Sequence, residues 1–164
     1  MRKEIRSIPL LLKLIDEAYE KKTWHGPNLR GAISGLTARQ ASWRPGRNRH
    51  DIWEIVVHAA YWKYAVRRRI LGEKRGSFPL KGSNWFRRPE RISERHWKND
   101  VKMLDAMHRS MRNAIAHLEA SDLKKHPKGS VYTFESTIYG VAFHDVYHAG
   151  QIQLVKRLSR MRRA

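Results

Sequence analysis

Four stretches of the chain repeat apolar residues at intervals of three and four, and this periodicity limits the fold more than any other feature. A helix that buries one stripe of its surface produces this spacing. The stretches cover residues 5–19, 50–70, 97–118 and 134–160, and segments rich in Gly, Pro and Ser separate them. No segment alternates convincingly with the period of a strand. The pattern therefore predicts an all-α fold, a four-helix bundle with one core.

The connection between the first two stretches is long. Helix-breaking residues mark its two ends, at His25–Asn28 and at Pro45–Gly46. A short helix is predicted between them, around Leu29–Ser34. A connection of this length suggests a crossover rather than a simple up-down-up-down order. The 164 residues can bury one sizeable core, which predicts a single domain over residues 1–164.

The chain contains no cysteine. This excludes disulfides, cysteine-ligated zinc, iron–sulfur clusters and a thiol nucleophile, so a metal site must use His, Asp, Glu or water. The longest early apolar run, Ile8–Leu12, is too short for a signal peptide or a membrane span. We therefore expect a soluble, cytoplasmic protein without a membrane partner.

The formal net charge is +19, from 34 Lys and Arg against 15 Asp and Glu. Such an excess suggests nucleic acid, an anionic membrane surface or acidic substrates as partners. Basic residues outnumber acidic ones in both halves of the chain. A solvated basic surface is the simpler interpretation, and contact with a polyanion is the alternative.

A pair of histidines four residues apart, His144 and His148, lies in the last periodic stretch. Residues four apart share one face of a helix, and this face continues through Val141, Gln151 and Val155. A buried polar group is costly unless a partner satisfies it. Two imidazoles in an apolar seam therefore predict a metal ion.

A catalytic metal commonly takes three protein ligands and keeps an open position. His58 borders the apolar stripe of the second stretch, and His108 lies within that of the third. Helical periodicity alone does not show which of these two histidines is the third ligand. The remaining histidines fall in loops, at helix ends or on outward positions.

The motifs resemble the DinB/YfiT-like superfamily of metal-binding four-helix bundles. His144-x3-His148-Ala-Gly-Gln151 is similar to the closing motif of that family, and the segment 55–62 is similar to its single-histidine helix. Segments 24–26, 35–37 and 43–45 are similar to its first connection. The resemblance implies the ligands His58, His144 and His148, and it leaves His108 as a core residue or one that supports a ligand.

The resemblance also implies one divalent ion (zinc, nickel, iron or manganese) and a homodimer. Family members include thiol-dependent S-transferases and a maleylpyruvate isomerase. We therefore expect a metal-dependent enzyme that activates a low-molecular-weight thiol or water, with S-transferase ahead of hydrolase. The alternatives are a basic nucleic-acid-binding protein whose metal is structural or absent, and a scaffold without turnover.

Two polar residues lie one helical turn from predicted ligands. Glu54 precedes His58 and can accept its second N–H, or it can be a surface or interface carboxylate. Gln151 follows His148 and can hold water or substrate, or it can bridge two helices. A cationic rim that includes Arg67–Arg69 would concentrate thiols that carry carboxylates.

Overall fold

The chain folds into helices in all four periodic stretches. A computed structural model describes residues 7–87, 89 and 91–161, and these residues contain no strand. The all-α prediction is confirmed, while position 5, where the first stretch begins, lies outside the described residues. The helices are α1 (Ser7–Tyr19), α2 (Leu29–Ala32), α3 (Ala38–Ala41), α4 (Ile52–Leu71), α5 (Glu94–Ala116), a 3-10 helix (Ala120–Lys124) and α6 (Phe134–Met161).

The start of α4 is fixed by a reciprocal cap. The Asp51 side chain accepts the Glu54 backbone N–H at 2.9 Å, and the Glu54 carboxylate accepts the Asp51 N–H at 3.3 Å. Such a capping box satisfies two donors that the first turn would leave without partners. Asp51 is therefore the N-cap of the helix. The helix ends at Gly72, whose φ of 67° suits glycine.

The long helices pack in a way that brings α4 and α6 together. α4 contacts both α5 and α6, and α1 contacts the same two helices. Almost the whole first half of α4 is buried, from Ile52 to Ala60. Trp53 of α4 meets Trp97 of α5 edge to face, with ring centroids 5.4 Å apart. α4 is therefore a central element, and its side chains reach α6 directly.

The connection between α1 and α4 contains two short helices. The first, α2, lies where a short helix was predicted, and it packs on α6. The second, α3, was not predicted, although Thr37 and Gln40 form a capping box at its start. None of the described helices combines the length and the apolar character that a membrane crossing requires.

Candidate metal centre

Three histidines meet at the contact between α4 and α6. His58 comes from the buried half of α4, and His144 and His148 lie one turn apart on α6. The Nε2 atom of His144 is 3.0 Å from that of His58 and 3.1 Å from that of His148. One ligand nitrogen from each ring lies within 4.8 Å of the other two. These side chains form the one group of this kind among the described residues.

Hydrogen bonds on the far side of two rings fix which nitrogen faces the others. His58 Nδ1–H donates to the backbone oxygen of Asn84 at 2.8 Å, and His148 Nδ1–H donates to Gln151 Oε1 at 2.6 Å. Because a carbonyl oxygen only accepts, each Nδ1 carries the hydrogen, and in the neutral ring Nε2 keeps its lone pair. Both lone pairs therefore point at His144. Outer hydrogen bonds of this kind orient metal-binding histidines.

Hydrogen bonding alone does not satisfy this cluster. A neutral His144 can offer one Nε2–H, yet two lone pairs face it, and its buried Nδ1 has no hydrogen-bond partner among the described residues. One metal ion would accept all three lone pairs. With ligand distances of 2.0–2.1 Å and angles between 90° and tetrahedral, coordinated nitrogens lie about 2.8–3.4 Å apart. The separations of 3.0 and 3.1 Å fit that range.

Burial keeps the three rings neutral. The pKa of His144 is lowered to about 3, mainly by removal from water and to a smaller extent by the neighbouring imidazoles of His148 and His58. Burial likewise lowers the pKa of His148 to about 4, although its hydrogen bond to Gln151 opposes the shift. The pKa of His58 is also lowered, again mainly by burial. Neutral imidazole is the form that binds a metal, so the site is ready for one near neutral pH.

A tryptophan covers the His58 side of the cluster. The Trp85 ring stacks on His58 with centroids 3.9 Å apart and planes inclined by 9°. The His50 ring also stacks on Trp85, with centroids 3.5 Å apart. Trp62 meets both His58 and His144 edge to face. The rings therefore have aromatic neighbours that exclude water and restrict their rotation.

The other three candidate site residues, Gln151, Glu54 and His108, occupy different places. Gln151 binds His148, and its amide nitrogen donates to the Tyr147 hydroxyl at 3.0 Å. Glu54 does not reach His58, because its oxygens are taken by Arg44, by His50 at 3.0 Å and by the cap of α4. Of the two roles considered for Glu54, the hydrogen bond to His58 is not formed, and the backbone oxygen of Asn84 accepts the His58 N–H instead.

His108 lies in the core, away from the cluster. Its ring stacks on Tyr19 with centroids 3.8 Å apart, and neither nitrogen has a hydrogen-bond partner among the described residues. No ring contact joins it to any of the three histidines in the described part of the chain. Tertiary packing thus brings His58 to the cluster and keeps His108 in the core, whereas helical periodicity did not distinguish between them.

Sequence reasoning missed Asn84 and Trp85, which lie in the segment 72–93 between α4 and α5. Asn84 has φ 65°, the left-handed region that asparagine tolerates better than most residues. Its backbone oxygen binds His58, and its side-chain oxygen accepts the Trp62 indole N–H at 3.0 Å. One signal was available, an Asn-Trp pair in an otherwise Gly- and Pro-rich loop.

A cleft opens beside the cluster, with a volume of about 770 Å³. His144 forms part of its wall, together with Trp62 and Val66 of α4 and Tyr139 and Val141 of α6. Volumes of this order are typical of sites for small molecules. The three-histidine cluster therefore has an access route from the side of His144.

Fold and site together define a class: an all-helical protein in which three histidines from two helices come close enough to hold one metal ion. The chain belongs to the DinB superfamily, whose family model matches residues 23–152. The match includes all three histidines and confirms the resemblance noted from the motifs. No curated protein and no solved structure matched the chain.

Proposed function

We propose that this protein is a metal-dependent enzyme that activates a low-molecular-weight thiol and transfers it to an electrophilic carbon. The convergence of the Nε2 atoms of His58, His144 and His148 beside an open cleft supports the proposal. A bound divalent ion, such as zinc, nickel, iron or manganese, supplies Lewis acidity that lowers the pKa of a thiol or a water molecule. Three neutral imidazoles add no negative charge, so the site favours an anionic partner such as a thiolate.

The wall of the cleft favours thiol over water as the activated group. Among the described residues, no carboxylate lines the cleft, and His144 contributes an imidazole to its wall. Hydrolysis commonly uses a side chain that accepts a proton from the attacking water, whereas a thiol, whose ordinary pKa is about 8.5, is readily ionised without such a base. We therefore propose that the S–H proton passes to solvent through the open cleft. The sulfur then forms a bond to carbon, and the displaced group leaves with its electron pair.

A transfer assay tests this proposal. The zinc- or nickel-loaded protein is mixed with cysteine or glutathione and an aryl or alkyl halide, and loss of free thiol is followed. We expect a rate above the protein-free reaction, and a loss of at least about tenfold in His148→Ala. The exposed His25 provides the matched control, because His25→Ala removes an imidazole outside the site and should keep the rate.

Two results would contradict thiol transfer. One is an equal rate in His148→Ala and wild type with several thiols. The other is metal-dependent cleavage of an activated ester without any thiol, which would make the protein a hydrolase. A protein that binds metal but is inactive in both assays would fit a scaffold without turnover.

We further propose that the four long helices form one bundle domain and that the protein is a homodimer. Large apolar side chains lie exposed along an arc of about 100° on α6: Tyr139, Phe143, Tyr147, Leu154 and Leu158. A continuous exposed apolar face is typical of an interface. Sedimentation velocity should give a dimer for wild type and a monomer for Phe143→Glu/Leu154→Glu. A wild-type monomer at micromolar concentration would contradict this.

A further inference from the structure

The cleft beside His144 is strongly cationic. Arg68 and Arg69 from the last turn of α4, Arg75 from the following segment and Lys128 from the segment before α6 contribute to its wall. The described lining contains no acidic residue. Four positive charges from three separate segments therefore face one concave space.

Among the described residues, no carboxylate pairs with the cations of this wall. Arg67, which does not line the cleft, forms a two-pronged ion pair with Glu73 at 2.7 and 2.9 Å. Arg68 donates instead to the Glu73 backbone oxygen at 2.9 Å, a contact that does not neutralise its charge. In the described part of the chain, Arg69, Arg75 and Lys128 have no ion-pair partner. Cations that stay unpaired in a concave site raise the local concentration of anions.

The same cleft has an apolar wall. Trp62, Val66 and Val141 form its inner part, and Val131 and Tyr132 lie at its outer part with 84% and 66% of their surface exposed. The hydrogen bond to Asn84 holds the Trp62 indole in place. Apolar surface beside a few charged groups is the usual composition of a small-molecule site. The occupant therefore combines an apolar body with a negative charge.

The structure limits the distance between that charge and the three-histidine cluster. The guanidinium carbon of Arg69 is 5.9 Å from the centre of the Trp62 ring. The Trp62 and His144 rings are 6.3 Å apart, so the two distances add up to about 12 Å. A molecule of modest size can therefore contact Arg69 with its anionic group and reach His144 with its other end.

We propose that this cleft binds an anionic small molecule with an apolar body, whose carboxylate or phosphate is held by Arg69, Arg75 and Lys128. The proposal names the class of substrate that the site binds. It rests on the proposed function only for the reaction that this substrate undergoes. Binding of the anionic group uses the chain's own cations, so it does not need the metal. Arg69 is a specificity-determining residue in this arrangement, because it lies against the apolar wall as well as carrying charge.

Calorimetric titration of the metal-free, full-length protein tests the proposal with three probes of similar shape: 3-phenylpropionate, phenyl phosphate and the neutral 3-phenylpropanamide. We expect at least one anionic probe to bind about tenfold more tightly than the amide. The stronger of the two anions identifies carboxylate or phosphate as the preferred group. Arg69→Gln and Lys128→Gln should each weaken that probe roughly three- to tenfold.

Arg157→Gln is the matched control, because Arg157 is exposed on α6 and does not line the cleft. It should bind the anionic probe as wild type does. The proposal is overturned if the amide binds as tightly as both anions, or if all three variants behave alike. It is also overturned if duplex DNA displaces the probe with a steep dependence on salt, which would make the cleft a nucleic-acid site.

The outcome is separable from that of the proposed function. Because the titration uses metal-free protein, loss of thiol transfer leaves the binding result intact. Conversely, thiol transfer that persists without any anion preference would overturn the assignment of the cleft alone.

Discussion

Asn84 holds two of the rings that define the site. Its backbone oxygen accepts the His58 N–H, and its side chain accepts the Trp62 indole N–H. Its φ of 65° places that oxygen where His58 needs it. The first of these hydrogen bonds depends on backbone conformation, whereas the second depends on the amide side chain. Substitutions can therefore separate the two.

Asn84→Gly and Asn84→Ala form a matched pair. Both remove the bond to Trp62, but glycine adopts the left-handed conformation freely and alanine does not. We expect Asn84→Ala to unfold with about 1 kcal/mol less free energy than Asn84→Gly. We also expect it to bind zinc more weakly, because the carbonyl moves away from His58. Urea unfolding and zinc titration measure both, and equal values for the two variants would contradict this role of the backbone.

His108 is a buried histidine that packing keeps uncharged. Only 1% of its surface is exposed, and burial lowers its pKa to about 2, with Lys63, Arg112 and Arg109 adding to the effect. Asp16 is the nearest carboxylate, at 3.9 Å, and it is paired with Arg112. In the unfolded chain the ring titrates near 6.5. Between these two values the unfolded state binds one more proton than the folded state.

This difference predicts a loss of stability as pH falls below 6.5. Between pH 7.5 and pH 5, His108 should lower the unfolding free energy of the metal-free protein by about 2 kcal/mol. His108→Gln removes the titrating group. Between pH 7.5 and pH 5, the unfolding free energy of this variant should therefore fall by about 2 kcal/mol less than that of the wild type. Urea unfolding at both pH values provides the test. Parallel losses in wild type and variant would show that His108 titrates in the folded protein.

At the scale of elements, α4 and α6 are joined by a buried ion pair beside the histidines. Lys63 hydrogen-bonds Asp145, and their side chains are 0% and 2% exposed. Burial lowers the pKa of Lys63 and raises that of Asp145, while their mutual attraction opposes both shifts. The Lys63 ammonium also lies 4.8 Å from the centre of the Tyr19 ring. The pair therefore links three helices next to His144.

Breaking this pair should be costlier than removing it. Lys63→Met leaves Asp145 buried without its cation, so we expect a loss of about 3–5 kcal/mol in unfolding free energy. Lys63→Met/Asp145→Leu replaces both charges, and it should recover at least half of that loss. Chemical unfolding of the single and double variants measures the coupling. A double variant as unstable as the sum of the singles would show that the two residues act independently.

The helices were more predictable than the polar contacts between them. Apolar spacing placed α4, α5 and α6 to within a few residues, because one buried stripe repeats over many turns. Lys63 and Asp145 interrupt that pattern, and nothing local in the sequence shows that they face each other. Asp145 directly follows His144 on α6, so it points to a different side of the helix, where it accepts a hydrogen bond from Lys63.

For the whole molecule, the sequence predicted the histidine pair from local geometry, because positions four apart on a helix must share a face. The choice of His58 over His108 came from family resemblance, and only tertiary packing separates the two. The roles of the loop residues Asn84 and Trp85 depend on tertiary contacts, since Asn84 accepts the His58 N–H and Trp85 stacks on the His58 ring. The cationic cleft likewise depends on tertiary structure, because Arg68, Arg69 and Arg75 come together there with Lys128.

In the folded chain, part of the net charge of +19 gathers around one cleft. Counting charges along the sequence shows an even spread and favours a general basic surface. The structure instead concentrates four cations, none of them in an ion pair with another described residue, around the space next to His144. This arrangement favours a small anionic ligand, while contact with nucleic acid stays a prediction that the titration with duplex DNA tests.

The central claim is that His58, His144 and His148 together hold one divalent ion, and elemental analysis tests it most directly. The protein is purified without an affinity tag or chelator, alongside His58→Ala, His144→Ala, His148→Ala and the control His25→Ala, with folding checked by circular dichroism. We predict close to one equivalent of a divalent metal per chain in wild type and control, and less than about a tenth of that in each ligand variant. Metal-free wild type after incubation with zinc or nickel, or full metal content in a folded ligand variant, would contradict the account.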